Sequence, residues 1–132
     1  MAVQIDISGA AESKPSSGSG SFPTQVKTMA LNQKRTYERE FGGQLVVTGT
    51  DGAPQALPIG SIVAVRFLAL RVTGGEVRLR VTTPDGATQV IPVTGLLVLD
   101  NPTTGSEMTA ATLAATGAGI EVEYMVAGNL TA

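Results

Sequence analysis

The chain contains no cysteine, no histidine and no tryptophan. Without a thiol or an imidazole it has no cysteine nucleophile, no histidine-dependent triad, and no Cys or His ligand for zinc or haem. Carboxylate, lysine and hydroxyl chemistry remain. Aromatic residues make up 4% of the chain and charged residues 15%, so platforms for stacking a sugar or a base are scarce. No apolar run reaches the roughly 18–20 residues needed to span a bilayer. The opening MAVQIDISGA lacks the basic-then-apolar layout of a signal peptide. These absences lead to the expectation of a soluble, unprocessed protein, and the missing cysteines give no support for secretion.

What is present is 132 residues, 42% of them apolar, with 16 glycines and 7 prolines. That length holds one domain at most, and such a domain removes roughly two thirds of its unfolded surface from water. The formal net charge of −2 is too small to imply a nucleic acid or an anionic membrane as partner. Five basic residues (Lys14, Lys27, Lys34, Arg35, Arg39) stand against four acids before residue 45, and four arginines against seven acids after it. The basic segment carries Tyr37 and Phe41, but Glu38 and Glu40 interrupt it, and contact with an acidic protein surface suits it better than nucleic acid.

Two regions of different character follow. Residues 8–25, SGAAESKPSSGSGSFPTQ, have Phe22 as their one large apolar side chain and cannot offset their own ordering entropy. A flexible arm is expected there. Ahead of it, alternation in Val3-Gln-Ile5-Asp-Ile7 predicts a short strand with Val3, Ile5 and Ile7 on one face, free to close its own sheet or to join that of a neighbouring subunit. Arg35–Phe41 permits a helical turn or an edge strand; the strand is favoured. The division is therefore an arm over residues 1–44 and a β domain over 45–132.

Beyond Gly42 the pattern is β throughout. Strands are predicted over 44–48, 61–73, 76–83, 87–93, 95–99, 109–116 and 120–127, separated by turn sequences such as Gly49-Thr-Asp-Gly52, Gly74-Gly75 and Thr83-Pro-Asp-Gly86. Seven or eight antiparallel strands at this spacing predict an all-β fold, a single β-sandwich of jelly-roll-like kind. Spacing alone leaves jelly-roll and immunoglobulin-like strand orders open.

Read as a two-residue hairpin loop, Gly74-Gly75 pairs Arg71 with Arg78 and Ala69 with Arg80. One face then carries Leu68, Leu70, Val72, Val77, Leu79 and Val81, and must be core. The other carries Arg71, Arg78 and Arg80, whose mutual repulsion calls for acids: Glu76, or Glu121 and Glu123 if the last strand lies alongside. This basic face is a solvated surface with internal ion pairs, an interface to a neighbouring subunit, or a phosphate or sugar-acid site. No glycine-rich loop leads into Lys-Ser/Thr and a helix, so a P-loop is not supported. Asp51, Asp85, Asp100 and Glu107 all sit in sequences that turn chemistry explains, which disfavours a catalytic carboxylate pair or a calcium site.

A Gly/Ser-rich arm followed by a small Thr-, Val- and Gly-rich β domain without Cys or His resembles virion proteins of tailed bacteriophages, particularly small capsid decoration (cement) proteins and neck or tail accessory proteins. The stretch from Leu57-Pro-Ile-Gly-Ser-Ile-Val through Leu96-Leu-Val-Leu-Asp-Asn-Pro carries most of the likeness. The resemblance implies a non-enzymatic structural protein of the virion, assembled in the host cytoplasm, with no cofactor and no metal. It implies partners among major capsid or neck and tail subunits and copies of itself, as a homo-oligomer, with no nucleic acid or membrane. The resemblance transfers no functional residue; the strand alternation, the arm and the arginine face make Val3, Ile5, Ile7 and Phe22 and the basic-face residues Arg71, Arg78 and Arg80 the expected subunit contacts. A carbohydrate- or receptor-binding sandwich of a fibre or adhesin is the alternative, which the lack of Trp and scarcity of Tyr disfavour.

Overall fold

Runs of β-branched and apolar residues alternating with polar ones, cut by Gly- and Pro-containing turns, leave the backbone little choice but extended pairing. In a computed structural model, which describes residues 2–13 and 27–131, every regular element is a strand. The chain divides into two units, one holding Gln4–Thr36 and the other holding Val3 and the residues from Tyr37 on.

The first unit is a paired ribbon. Strands β1 (Val3–Ile7) and β4 (Gln33–Tyr37) form one two-stranded sheet, and β2 (Ala10–Ser13) and β3 (Lys27–Ala30) form another, antiparallel. A hydrogen bond from the Leu31 N–H to the Gly9 carbonyl, 2.9 Å, lies between them. The alternation of β1 holds: Ile5 is buried, Val3 and Ile7 are half-buried, and Gln4 and Asp6 are exposed. Its partner in this structure is β4. Residues 10–13, expected within the flexible arm, are instead strand. Phe22 and its neighbours lie outside the described residues.

The second unit is a sandwich of eight strands: β5 (Arg39–Val46), β6 (Gln55–Ala56), β7 (Ala64–Thr73), β8 (Val77–Thr82), β9 (Thr88–Val93), β10 (Leu96–Asp100), β11 (Ala110–Ala115) and β12 (Glu121–Asn129). The favoured strand over Arg35–Phe41 is present, broken by a bend at Glu38. Because β5 begins at Arg39, the expected division after residue 44 falls inside a strand.

One sheet has the order β10-β7-β12-β5 and the other β6-β11-β8-β9. The pairs are nested: β8 with β9, β7 with β10, β6 with β11, β5 with β12. This is one long antiparallel hairpin wrapped so that its two arms contribute to both sheets, the winding of a jelly roll. The inward-facing side chains of both sheets, among them Leu68, Leu70, Val72, Leu79, Leu113, Val122 and Val126, fill one core.

The winding corrects the expected hairpin at Gly74-Gly75. β7 and β8 belong to different sheets, and the two glycines carry the chain across the sandwich. Gly74 has φ 97°, and a Cβ on Gly75 would lie 2.8 Å from Cδ1 of Ile120, so the crossing is closely packed. The core assignment survives because both strands turn the same alternate residues inward; the facing of Arg71 with Arg78 does not. A true hairpin forms one turn later. Around Thr83-Pro-Asp-Gly86 the Thr83 N–H bonds the Ala87 carbonyl at 3.0 Å, the Gly86 N–H bonds the Thr83 carbonyl at 2.9 Å, and Gly86 has φ 83°.

Candidate interaction faces

The outer surface of the β10-β7-β12-β5 sheet is built in rows set by the strand register. Leu96, Arg71, Glu123 and Gln44 lie side by side across the four strands, and Val98, Ala69, Met125 and Gly42 form the next row. Arg71 Nη1 lies 3.6 Å from Glu123 Oε1, and Gln44 Nε2 donates to Glu123 Oε2 at 3.0 Å. The acid proposed from sequence for Arg71 is thus supplied by the last strand, which does lie alongside. Leu96 is 69% exposed, and Val46, Val98 and Met125 are also exposed. An open depression of about 400 Å³ lies beside the ion pair, lined by Gln44, Val46, Arg71, Thr73, Glu121 and Glu123. Apolar side chains thus stand in water around a neutralised polar row.

Arg78 and Arg80 occupy the outer surface of the opposite sheet, so the three arginines do not form one basic patch. The turn over 49–52 folds onto this surface. Thr50 and Ala53 bridge it with hydrogen bonds of 3.1 and 3.0 Å. A Cβ on Gly49 would stand 2.5 Å from the Leu113 carbonyl oxygen, so only glycine lets the turn lie this close to β11. Asp51 is thereby delivered to Arg78, which hydrogen bonds to it through Nη1 and has Nε 3.7 Å from Glu76 Oε1. Arg78 is half-buried and Arg80 exposed.

A third charged group escaped the reading of the sequence. The register between β7 and β12 slips between Ala127 and Gly128. The slip keeps Val65 in the core and turns the buried Arg66 toward the loop over 101–109. There Arg66 Nη1 donates to the Pro102 carbonyl at 3.0 Å, and Nη2 lies 3.8 Å from Oε2 of the buried Glu107. The Gly105 N–H donates to the same carboxylate oxygen at 2.6 Å. Hydrogen bonding from its own backbone N–H, then from Gly105, and the charge of Arg66 hold the Glu107 carboxyl below its ordinary pKa against the opposing effect of burial. The pair clasps the loop to the sheet.

Asp85 is likewise a turn device. Its carboxyl is held low by the Thr83 hydroxyl and the Ala87 N–H, the latter at 3.1 Å. Burial pushes the Tyr124 phenol up. Among the described residues, no three acids stand close enough together to hold a metal ion. No family model, curated protein or solved structure matches the chain.

Proposed function

We propose that the chain is a non-enzymatic structural protein of a virus particle of the tailed-bacteriophage kind, decorating or cementing the shell or joining neck or tail subunits. The observation that carries this reading is the outer surface of the β10-β7-β12-β5 sheet, where Leu96, Val98 and Met125 stand exposed beside the Arg71–Glu123 pair. A sandwich that presents a partly apolar sheet surface is suited to packing against other subunits. Five of the carboxylates bear on the same reading. Asp51, Glu76 and Glu123 pair with arginines, Asp85 closes a turn, and Glu107 clasps a loop. Each has a structural task that a reacting group would have to abandon. The jelly roll adds less, since this winding hosts both capsid and carbohydrate-binding domains.

The test is protein mass spectrometry on particles purified from the culture that carries the gene. Peptides of this chain are expected in fixed ratio to the main shell protein. Their absence from the particles would sink the reading, and affinity of the isolated chain for a saccharide would favour the fibre or adhesin alternative. Removal of residues 1–25 is expected to weaken incorporation without unfolding the sandwich.

A further inference from the structure

A jelly roll leaves four open strand edges, and three of them here are protected against further pairing. β6 has two residues. β9 carries Pro92; the bond from the Thr83 N–H to the Ala87 carbonyl and the register of Val77 with Val93 place Pro92 where its missing N–H faces outward. β5 presents Glu40, Gly42, Gln44 and Val46 at its outward-bonding positions, as the bond from the Val47 N–H to the Ile120 carbonyl and the register require, and the first three are polar or glycine. Among the described residues β10 is neither cut short nor broken by proline, and its one charge, Asp100, stands at the end of the strand. From Thr94 to Leu99 it carries no charge and no proline.

The direction of its unused bonds follows from two that are made. The Val72 N–H bonds the Gly95 carbonyl and the Asn101 N–H bonds the Arg66 carbonyl, both at 2.7 Å. Antiparallel ladders alternate, so Leu97 and Leu99 bond toward β7, while Leu96 and Val98 turn their N–H and C=O groups away from the sheet. The side chains of Leu96 and Val98 are exposed on the outer face, and those of Leu97 and Leu99 are half-buried at the rim of the core.

We infer that β10 is a self-association edge, at which two copies of the chain pair β10 to β10, antiparallel about a two-fold axis. This deepens the reading of an assembling protein but does not require a viral particle. The occupant is a second copy because the edge is complementary to itself. With the axis at Leu97, Leu96 faces the partner's Val98 on one surface, and Leu97 faces the partner's Leu97 at the rim of the core. Asp100 then falls opposite the partner's Thr94. Moving the axis to Val98 would set Asp100 against the partner's Leu96, and moving it to Leu99 would set Asp100 against the partner's Val98. Only the first register joins apolar residues to apolar residues while giving the outward groups of Leu96 and Val98 four hydrogen bonds. An edge whose one charge stands at its end offers little by which to select a different strand, and isologous two-fold pairing is the commonest closed solution. An edge of five residues offers only a small contact, so the dimer is expected to dissociate on dilution. Copies held side by side on a larger body would meet at a much higher effective concentration.

The test is sedimentation of the full chain from micromolar to millimolar concentration, with amide hydrogen exchange on the same samples. A concentration-dependent shift toward doubled mass is expected, with exchange at Leu96 and Val98 slowed at least several-fold in the dimer. Val98→Pro removes an outward N–H as Pro92 does on β9, and is expected to abolish the shift. Leu96→Lys, which leaves the backbone intact, covers the case in which the proline variant does not fold, and should also abolish it. A chain that stays monomeric at the highest concentration overturns the inference. A dimer that survives Leu96→Lys overturns the β10 assignment while leaving the assembly reading to its own test on particles.

Discussion

The winding of the sandwich can be tested by cross-linking, because a chain without cysteine offers no competing thiol. Arg71 and Glu123 are Cα partners on adjacent strands, whereas Arg71 and Arg78 project from opposite faces of the sandwich. Antiparallel partners lie about 4.5–5.5 Å apart, within the roughly 4.4–6.8 Å that a disulfide accepts, while stacked sheets stand about 10 Å apart. Arg71→Cys with Glu123→Cys is therefore expected to oxidise readily, and Arg71→Cys with Arg78→Cys is not. The first bond closes a loop of about 50 residues, which removes roughly 4 kcal/mol of unfolded-state chain entropy. The exposed ion pair it replaces contributes no more than about 1 kcal/mol. For a domain of this size the balance corresponds to a rise in Tm of roughly 10 °C, read by calorimetry with and without reductant. A fast-forming 71–78 disulfide would refute the jelly-roll order and restore the hairpin at Gly74-Gly75, and a 71–123 pair that stays reduced would refute the pairing of β7 with β12.

Three further outcomes follow from the packing and the charges. Gly128→Ala drives a Cβ into the Ala64 carbonyl and to 3.0 Å from Ile62 Cγ2 at the slip between β7 and β12. A loss of about 3 kcal/mol is expected, read as a lower urea midpoint. Because the Glu107 carboxyl titrates below its ordinary 4.5 in the folded chain, it stabilises the fold above that pH and the contribution is lost as pH falls through the lowered value. Glu107→Gln should therefore flatten the acid limb of a urea midpoint series from pH 7 to about pH 2, and an unchanged limb would mean the clasp is not coupled to folding. Arg78→Glu places a third acid beside Asp51 and Glu76 and should release the 49–52 turn, read as faster amide exchange at Thr50 and Ala53.

The faces of the strands were legible in the sequence, and their partners were not. Alternation in Leu68-Ala-Leu70-Arg-Val72 and in Val77-Arg-Leu79-Arg-Val81 assigns each side chain inward or outward whichever strand lies next door, and every assigned core residue is buried. Pairing is different, because Gly74-Gly75 serves equally as a hairpin loop and as a crossing between sheets. Only the rest of the core decides between them. The same local signal at Thr83-Pro-Asp-Gly86 does close a hairpin. Arg66 had one trace in the sequence: in Ala64-Val-Arg66-Phe-Leu68, apolar residues flank it on both sides, which is how a change of phase looks before the bulge is known. Glu107 had none, since its Gly105-Ser-Glu setting reads as an ordinary turn until Arg66 is placed beside it. The apolar run Leu96-Leu-Val-Leu99 was visible as a strand, but its standing at an edge depends on a strand order that no local pattern encodes.

That edge gains its meaning from the way the sandwich is wound. Nested pairing places the most local strand pair, β8 with β9, at the centre of the hairpin and the most distant, β5 with β12, at its open end. Each pair that forms brings the ends of the next pair together, so the loop-closure cost of β5 with β12 is met in steps rather than at once. The wrapping then leaves β10 and β5 on the rims of one sheet and β6 and β9 on the rims of the other. A sequence selected only to fold as a monomer would be expected to defend all four rims, since an undefended rim invites aggregation. This chain shortens one, places Pro92 in another, sets Glu40, Gly42 and Gln44 along most of the third, and leaves the fourth apolar up to Asp100. Because Leu96 and Val98 belong both to that rim and to the exposed sheet surface, one short strand supplies an open hydrogen-bond ladder and apolar area together. Both are what the inferred pairing of β10 with a second copy would use.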